Sequence, residues 1–145
     1  MQEVKITKLD KNARLPHYGS EFSAGADLYA LADEAVTIEA GETKLIHTGL
    51  AMEIPVGYAG LIYARSGLAS KKGLAPANKV GVVDSDYRGE VMVALHNHSA
   101  EAQTIEPYER IAQLVIAPFL KVDFTEADAL TDTERGAGGF DSTGK

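Results

Sequence analysis

Arginine, glycine and hydroxyl residues crowd together in RGAGGFDSTG, residues 135–144. Arg135 can fork phosphate oxygens bidentately, and glycines at 136, 138, 139 and 144 let main-chain N–H groups approach such oxygens closely. Phe140 has no core to join nearby, so it either stacks on a planar ligand or is incidental. No Walker-type G-x-x-x-x-G-K-[ST] occurs and no G-x-G-x-x-G follows a strand, so a phosphate site has to be assembled from dispersed pieces.

Four other segments offer such pieces. Arg65-Ser66-Gly67 follows the apolar run LIYA and sets a guanidinium, a hydroxyl and a permissive backbone at a strand end; the alternative is an ordinary turn. Residues 81–90, GVVDSDYRGE, read as a hairpin with a polar apex. There Asp84 either holds and deprotonates a water or satisfies turn amides. In AGADLYA, residues 24–30, Asp27 stands among small and apolar neighbours. It can support a hydrated Mg²⁺, hold an arginine, or be a buried structural carboxylate. In ERIAQLV, residues 109–115, Gln113 lies on an apolar strand, where it can donate to phosphate or be a paired core amide. His96 and His98 would share one strand face, but no third metal ligand is close in sequence.

The elements that must position these groups are short strands. Apolar and polar residues alternate at Val4 and Ile6 and again over residues 36–38, 50–54, 61–63 and 91–95. Between these runs sit turn signals at Ala40-Gly41, Pro55-Val56-Gly57, Arg88-Gly89 and Pro107. This pattern predicts an all-β sandwich or barrel. One helical stretch is compatible with residues 66–72, with Ser66 as a possible N-cap and Gly73 closing the end. From about Thr125 core-type residues thin out and glycines accumulate, so residues 1–124 read as one folded domain and 125–145 as a mobile arm.

Composition narrows the functional classes. A net charge of −7 over 145 residues argues against sequence-independent nucleic-acid binding, which needs a large cationic surface. Cysteine is absent, which excludes a disulfide scaffold and thiolate metal sites and fits a reducing cytoplasm. No apolar run has the length of a signal peptide core or a membrane span, so neither export nor membrane insertion is expected.

Taken in order, AGADLYA, RSG, GVVDSDYRGE, ERIAQLV and RGAGGFDSTG resemble the five motifs of the trimeric dUTP diphosphatases, across residues 24–144. The resemblance implies a β jelly roll of the β-clip kind, assembled as a homotrimer with three active sites between subunits. It also implies Mg²⁺ on the triphosphate and hydrolysis of dUTP to dUMP and pyrophosphate, limiting uracil incorporation into DNA and supplying dUMP for thymidylate synthesis. By motif position, Asp84 would activate the water that attacks the α-phosphorus. Asn78, Val82, Val83 and Met92 would line the uracil pocket, and Tyr87 would pack beneath the deoxyribose and exclude a 2′-hydroxyl. Arg65, Ser66, Gly67 and Gln113 would hold phosphates, Asp27 would support the metal through water or support cations, and Arg110 would brace the site. The tail would close over a neighbouring subunit's nucleotide, with Phe140 on the uracil and Arg135, Ser142 and Thr143 toward the γ-phosphate. Asp141 stands where that family usually has glycine, placing a Cβ and a negative charge beside the expected triphosphate. The related dCTP deaminases would carry a Glu in the strand after the hairpin, where this chain has Ala94.

Overall fold

The structure, a computed structural model, describes residues 3–139. Eleven strands and one short helix follow one another as β1 (Lys5–Lys8), β2 (His17–Tyr18), β3 (Ala26–Tyr29), β4 (Val36–Ile38), β5 (Thr43–Glu53), β6 (Tyr58–Tyr63), α1 (Ser66–Lys72), β7 (Leu74–Pro76), β8 (Gly81–Val83), β9 (Glu90–Asn97), β10 (Gln103–Ile105) and β11 (Arg110–Pro118). They form a four-stranded sheet in the order β1-β5-β9-β7, a five-stranded sheet in the order β2-β3-β11-β6-β8, and the pair β10-β4. Every pairing is antiparallel. The result is a jelly roll, the all-β architecture expected from the alternating pattern.

Strand β9 shows how the pattern builds it. Val91, Val93, Leu95 and Asn97 are buried, while the intervening Glu90, Met92, Ala94 and His96 are half-buried on the other face. The buried set joins Leu28, Ile38, Leu50, Ile54, Leu74 and Ile111 in one core between the sheets. Asn97, fully buried, is satisfied from both ends: its Nδ2 donates to the carbonyls of Ile38 and Glu101, and its Oδ1 accepts from the Ser99 amide and hydroxyl. That network ties the end of β9 to the β10-β4 pair without an orphaned polar atom.

Two local expectations need correction. Ser66 is the first residue of α1, not its cap; Arg65 occupies the cap position in extended conformation, with no side-chain capping bond. Gly73 does close the helix, at φ 66°, and its N–H bonds back to the Ala69 carbonyl. Residues 81–90 are not a paired hairpin. β8 pairs with β6, whereas β9 pairs with β5 and β7, so the two arms enter different sheets. The connection between them is held by itself: Tyr87 N–H donates to the Asp84 carbonyl, and the Arg88 guanidinium donates to the carbonyls of Ser85 and Tyr87.

Strand β5 carries the main irregularity. His47 pairs with Met92 and Ala51 with Glu90, so four steps along β5 match two along β9. Gly49, at the centre of this bulge, has φ +69°, and a Cβ there would lie 2.6 Å from Leu31 and 2.9 Å from Ala13. Only glycine fits. Beyond β11 the chain leaves the core, and the described residues 119–139 are exposed. Among the described residues no helix is long and apolar enough to cross a membrane.

Candidate active site

The splayed arms of residues 81–90 enclose a cleft of about 250 Å³. Its walls are Leu45, Ile62, Asn78, Gly81, Val82, Val83, Asp84, Tyr87, Glu90, Val91 and Met92. Every residue expected around a flat base is therefore here, and Asp84 sits exposed where β8 ends. Tyr87 is fixed at its tip, where its hydroxyl donates to the Glu90 carbonyl at 2.9 Å. Its ring lies against Gly89, since a Cβ on that glycine would fall 2.5 Å from the phenol oxygen.

A second cleft, about 540 Å³, is lined by Gly19, Ser23, Ala24, Gly25, Asp27, Arg65, Ser66, Gly67, Arg110 and Gln113. Three neighbouring strands supply it: β3 brings Asp27, β6 leads into Arg65, and β11, paired with both, brings Arg110 and Gln113. Asp27, whose side chain is 12% exposed, organises the charges. Its Oδ1 accepts from Arg65 Nε at 2.7 Å and its Oδ2 from Arg110 Nη1 at 3.2 Å. Of the readings open for Asp27, the one that holds arginine is realised in this geometry. Gln113 donates through Nε2 to the Ala64 carbonyl at 2.8 Å, and its amide oxygen presses against Gly25, where a Cβ would sit 2.4 Å away. Gly67 differs from Gly25, because a Cβ there would meet nothing within 4 Å and its φ is ordinary. Packing within the chain does not require that glycine.

The two clefts lie far apart in one chain. Val83 pairs with Gly60, so Asp84 falls level with Ala59, and Arg65 stands six residues further on, just past the end of β6 in extended conformation. At about 3.3 Å per residue the two backbones are about 20 Å apart. Arg135 is in neither cleft; it lies exposed in the turns of the tail, where Gly136 N–H bonds to Thr133 and Gly138 N–H to Arg135. Phe140, Asp141, Ser142 and Thr143 fall outside the described residues.

Sequence reasoning passed over Glu90 and His47. Oε1 of Glu90 accepts from the Gly49 N–H at 2.8 Å, and Oε2 meets His47 Nδ1 at 2.9 Å. Burial raises the Glu90 carboxyl, but the hydrogen bonds of His47, Gly49 and Thr48, with the His47 charge, outweigh it and hold it below its ordinary value. The partners come from a different strand, so no local spacing announces them. On the far end of β9, His96 and His98 rings meet edge to face at 4.4 Å, and His96 Nδ1 bonds Thr43 Oγ1 at 2.8 Å. Desolvation, then the charges of Lys79 and His96, lowers the pKa of His98. Among the described residues no group of three or more His, Cys, Asp or Glu is placed to hold a metal ion.

Fold and clefts together define an all-β jelly-roll protein with a largely apolar slot and a separate arginine-lined polar cleft. The dUTPase family model matches residues 11–144, and the chain belongs to the dUTPase family. It is 53% identical over 143 residues to the deoxyuridine 5′-triphosphate nucleotidohydrolase of Nautilia profundicola, covering 99% of each chain. To the same-named protein of Bordetella avium it is 48% identical over 148 residues, covering 100% of this chain and 99% of that one. Among solved structures, the Staphylococcus bacteriophage 80alpha dUTPase with dUPNHPP aligns over 100% of both chains at 29% identity, with a TM-score of 0.90. A mutant dUTPase from phage phi11 of S. aureus, solved for the coordination of a structural Mg(II) ion, aligns at 26% identity and a TM-score of 0.79, covering 88% of this chain and 98% of that one.

Proposed function

We propose that the protein hydrolyses dUTP to dUMP and pyrophosphate at sites shared between subunits of a homotrimer. The observation that carries the shared site is the distance of about 20 Å, by strand rise, between Asp84 and Arg65 within one chain. A nucleotide seated in the slot of one copy reaches the arginine cleft of another, and three copies around an axis close the ring. Family membership and the relatives' names support the substrate.

In this reading the slot between β8 and β9 takes the uracil, with main-chain groups of the splayed arms reading its edge and no room for a 5-methyl group. Tyr87 lies under the deoxyribose. Asp84 accepts a proton from water as the water oxygen bonds the α-phosphorus and the bond to the bridging oxygen breaks, releasing pyrophosphate. The other subunit's Arg65, Ser66 and Gln113 take the phosphate oxygens, and Gly67 lets the main chain come close to them. Arg110 and Arg65 arrive preoriented by Asp27, so little reorganisation accompanies charge development. The arm, residues 125–145, closes the site through Arg135, Phe140, Ser142 and Thr143.

The donor set fits a cation carried by the substrate rather than one caged by protein: no cluster of metal ligands exists among the described residues, and both Asp27 oxygens engage guanidinium groups. Mg²⁺ bound to triphosphate oxygens and water would supply charge neutralisation. We assign Asp27 to orienting the arginines.

The test is product analysis. Purified protein with Mg²⁺ should release pyrophosphate from dUTP, and from dTTP or UTP at most about 1% as fast. Equal turnover of dTTP overturns the slot assignment, and ammonia release from dCTP would point to a deaminase.

A further inference from the structure

Tyr87 is seated by two contacts. Its ring rests on Gly89, where a Cβ would push the ring aside, and its hydroxyl donates to the main-chain carbonyl of Glu90. The position of that carbonyl depends on where the first residue of β9 is held: Glu90 pairs with Ala51 at one edge of the β5 bulge, and regular pairing resumes only at Met92 and His47. Across that gap the Glu90 side chain bonds the bulge directly. It takes the Gly49 N–H on one oxygen and His47 on the other, and it is 21% exposed while His47 is 59% exposed. A neighbouring bond reinforces the same spot, with the buried Thr48 hydroxyl donating to the Val91 carbonyl.

We propose that Glu90 is a positioning residue for sugar selection, its carboxylate clamping the β5 bulge so that its own carbonyl holds the Tyr87 ring where a 2′-hydroxyl would have to go. The proposal rests on the reading of Tyr87 as the floor beneath the deoxyribose. Glu90 contacts no reacting atom in this scheme; it acts through Tyr87. An aromatic wall displaced by a fraction of an ångström stops excluding one oxygen atom. Loss of the clamp therefore shows first in the choice between deoxyribose and ribose.

The experiment measures kcat and KM for dUTP and UTP in the full-length protein. Glu90→Ala should narrow the dUTP to UTP ratio of kcat/KM about tenfold, with kcat/KM for dUTP falling more than that for UTP. Glu90→Gln keeps an acceptor for the Gly49 N–H and should recover most of the ratio, and His47→Ala, a change at an exposed residue, should reproduce the loss at smaller amplitude. Tyr87→Phe should lose the same discrimination, and adding Glu90→Ala to it should cost nothing more. An equal fall in kcat/KM for both nucleotides, or additive losses in the double variant, overturns the proposal. A wild-type enzyme that does not prefer dUTP over UTP condemns the reading of Tyr87 instead. In that case NMR of ¹³C-labelled tyrosine decides the clamp alone: a Tyr87 ring signal that shifts and averages in Glu90→Ala sustains it, and an unchanged signal ends it.

Discussion

The slot between β8 and β9 and the arginine cleft on β3, β6 and β11 solve opposite problems with opposite materials. The slot is a gap between two sheets, walled by Val82, Val83, Met92 and Ile62, and offers shape and apolar surface. The cleft is built within one sheet on strands bonded to one another, and offers fixed charge, with Asp27 gripping Arg65 and Arg110. A base is flat and nearly neutral, so a slot whose width is set by sheet separation suits it. A triphosphate is flexible and highly charged, and cations locked in advance suit that. On the proposed function each copy supplies half of each of two sites.

The sharpest way to break that division is complementation. Asp84→Asn should lower kcat about 10²–10⁴-fold, and Arg65→Ala should do similar damage from the other cleft. If a working site joins the slot of one subunit to the cleft of another, denaturing and refolding a mixture of the two inactive variants restores a substantial fraction of wild-type rate. Absence of rescue places both halves in one chain.

Asp27→Asn comes next in size. Removing the charge leaves two guanidinium groups beside each other at a partly exposed site, so stability should fall about 1–3 kcal/mol and KM for dUTP should rise more than kcat falls. Thermal melting with steady-state kinetics checks both. Gly67→Ala separates packing from binding. Because a Cβ there meets nothing within 4 Å, the stability should stay within about 0.5 kcal/mol of wild type, while KM rises several-fold if the main chain approaches phosphate. An unchanged KM removes Gly67 from the site.

The smallest effect is on the slot side and depends on pH. The folded-state pKa of Glu90 lies below its ordinary 4.5, so the stabilisation from its ionised clamp is complete above that value and is lost as pH falls through the folded pKa. Wild type should exceed Glu90→Gln by about 1 kcal/mol or less near neutrality, and the difference should shrink in acid. Melting curves at pH 7 and below pH 4 test the sign.

Much of this was legible in the residues. Period-two alternation over residues 91–95 predicts β9, the runs at 50–54 and 61–63 mark only the later parts of β5 and β6, and Gly73 marks the end of α1 by its left-handed conformation. The motif pieces that resemble dUTP diphosphatases also placed Asn78, Val82, Val83, Asp84, Tyr87 and Met92 together, and the structure lines one cleft with them. Residues 81–90 misled because turn chemistry describes a connection and not the partners of its arms. Whether β8 and β9 pair with each other or with β6 and β5 is decided by strands distant in the chain. The Glu90 clamp was invisible for the same reason, since His47 and Gly49 precede it by more than forty residues. Strands of two or three residues, such as β2, β7 and β10, are too short to display a period at all.

The slot's seat between two sheets makes its gauge a property of the whole sandwich. On the proposed function, any change in how the two sheets are spaced would alter the room left for the base, whereas the arginine cleft, built within one sheet, would keep its shape.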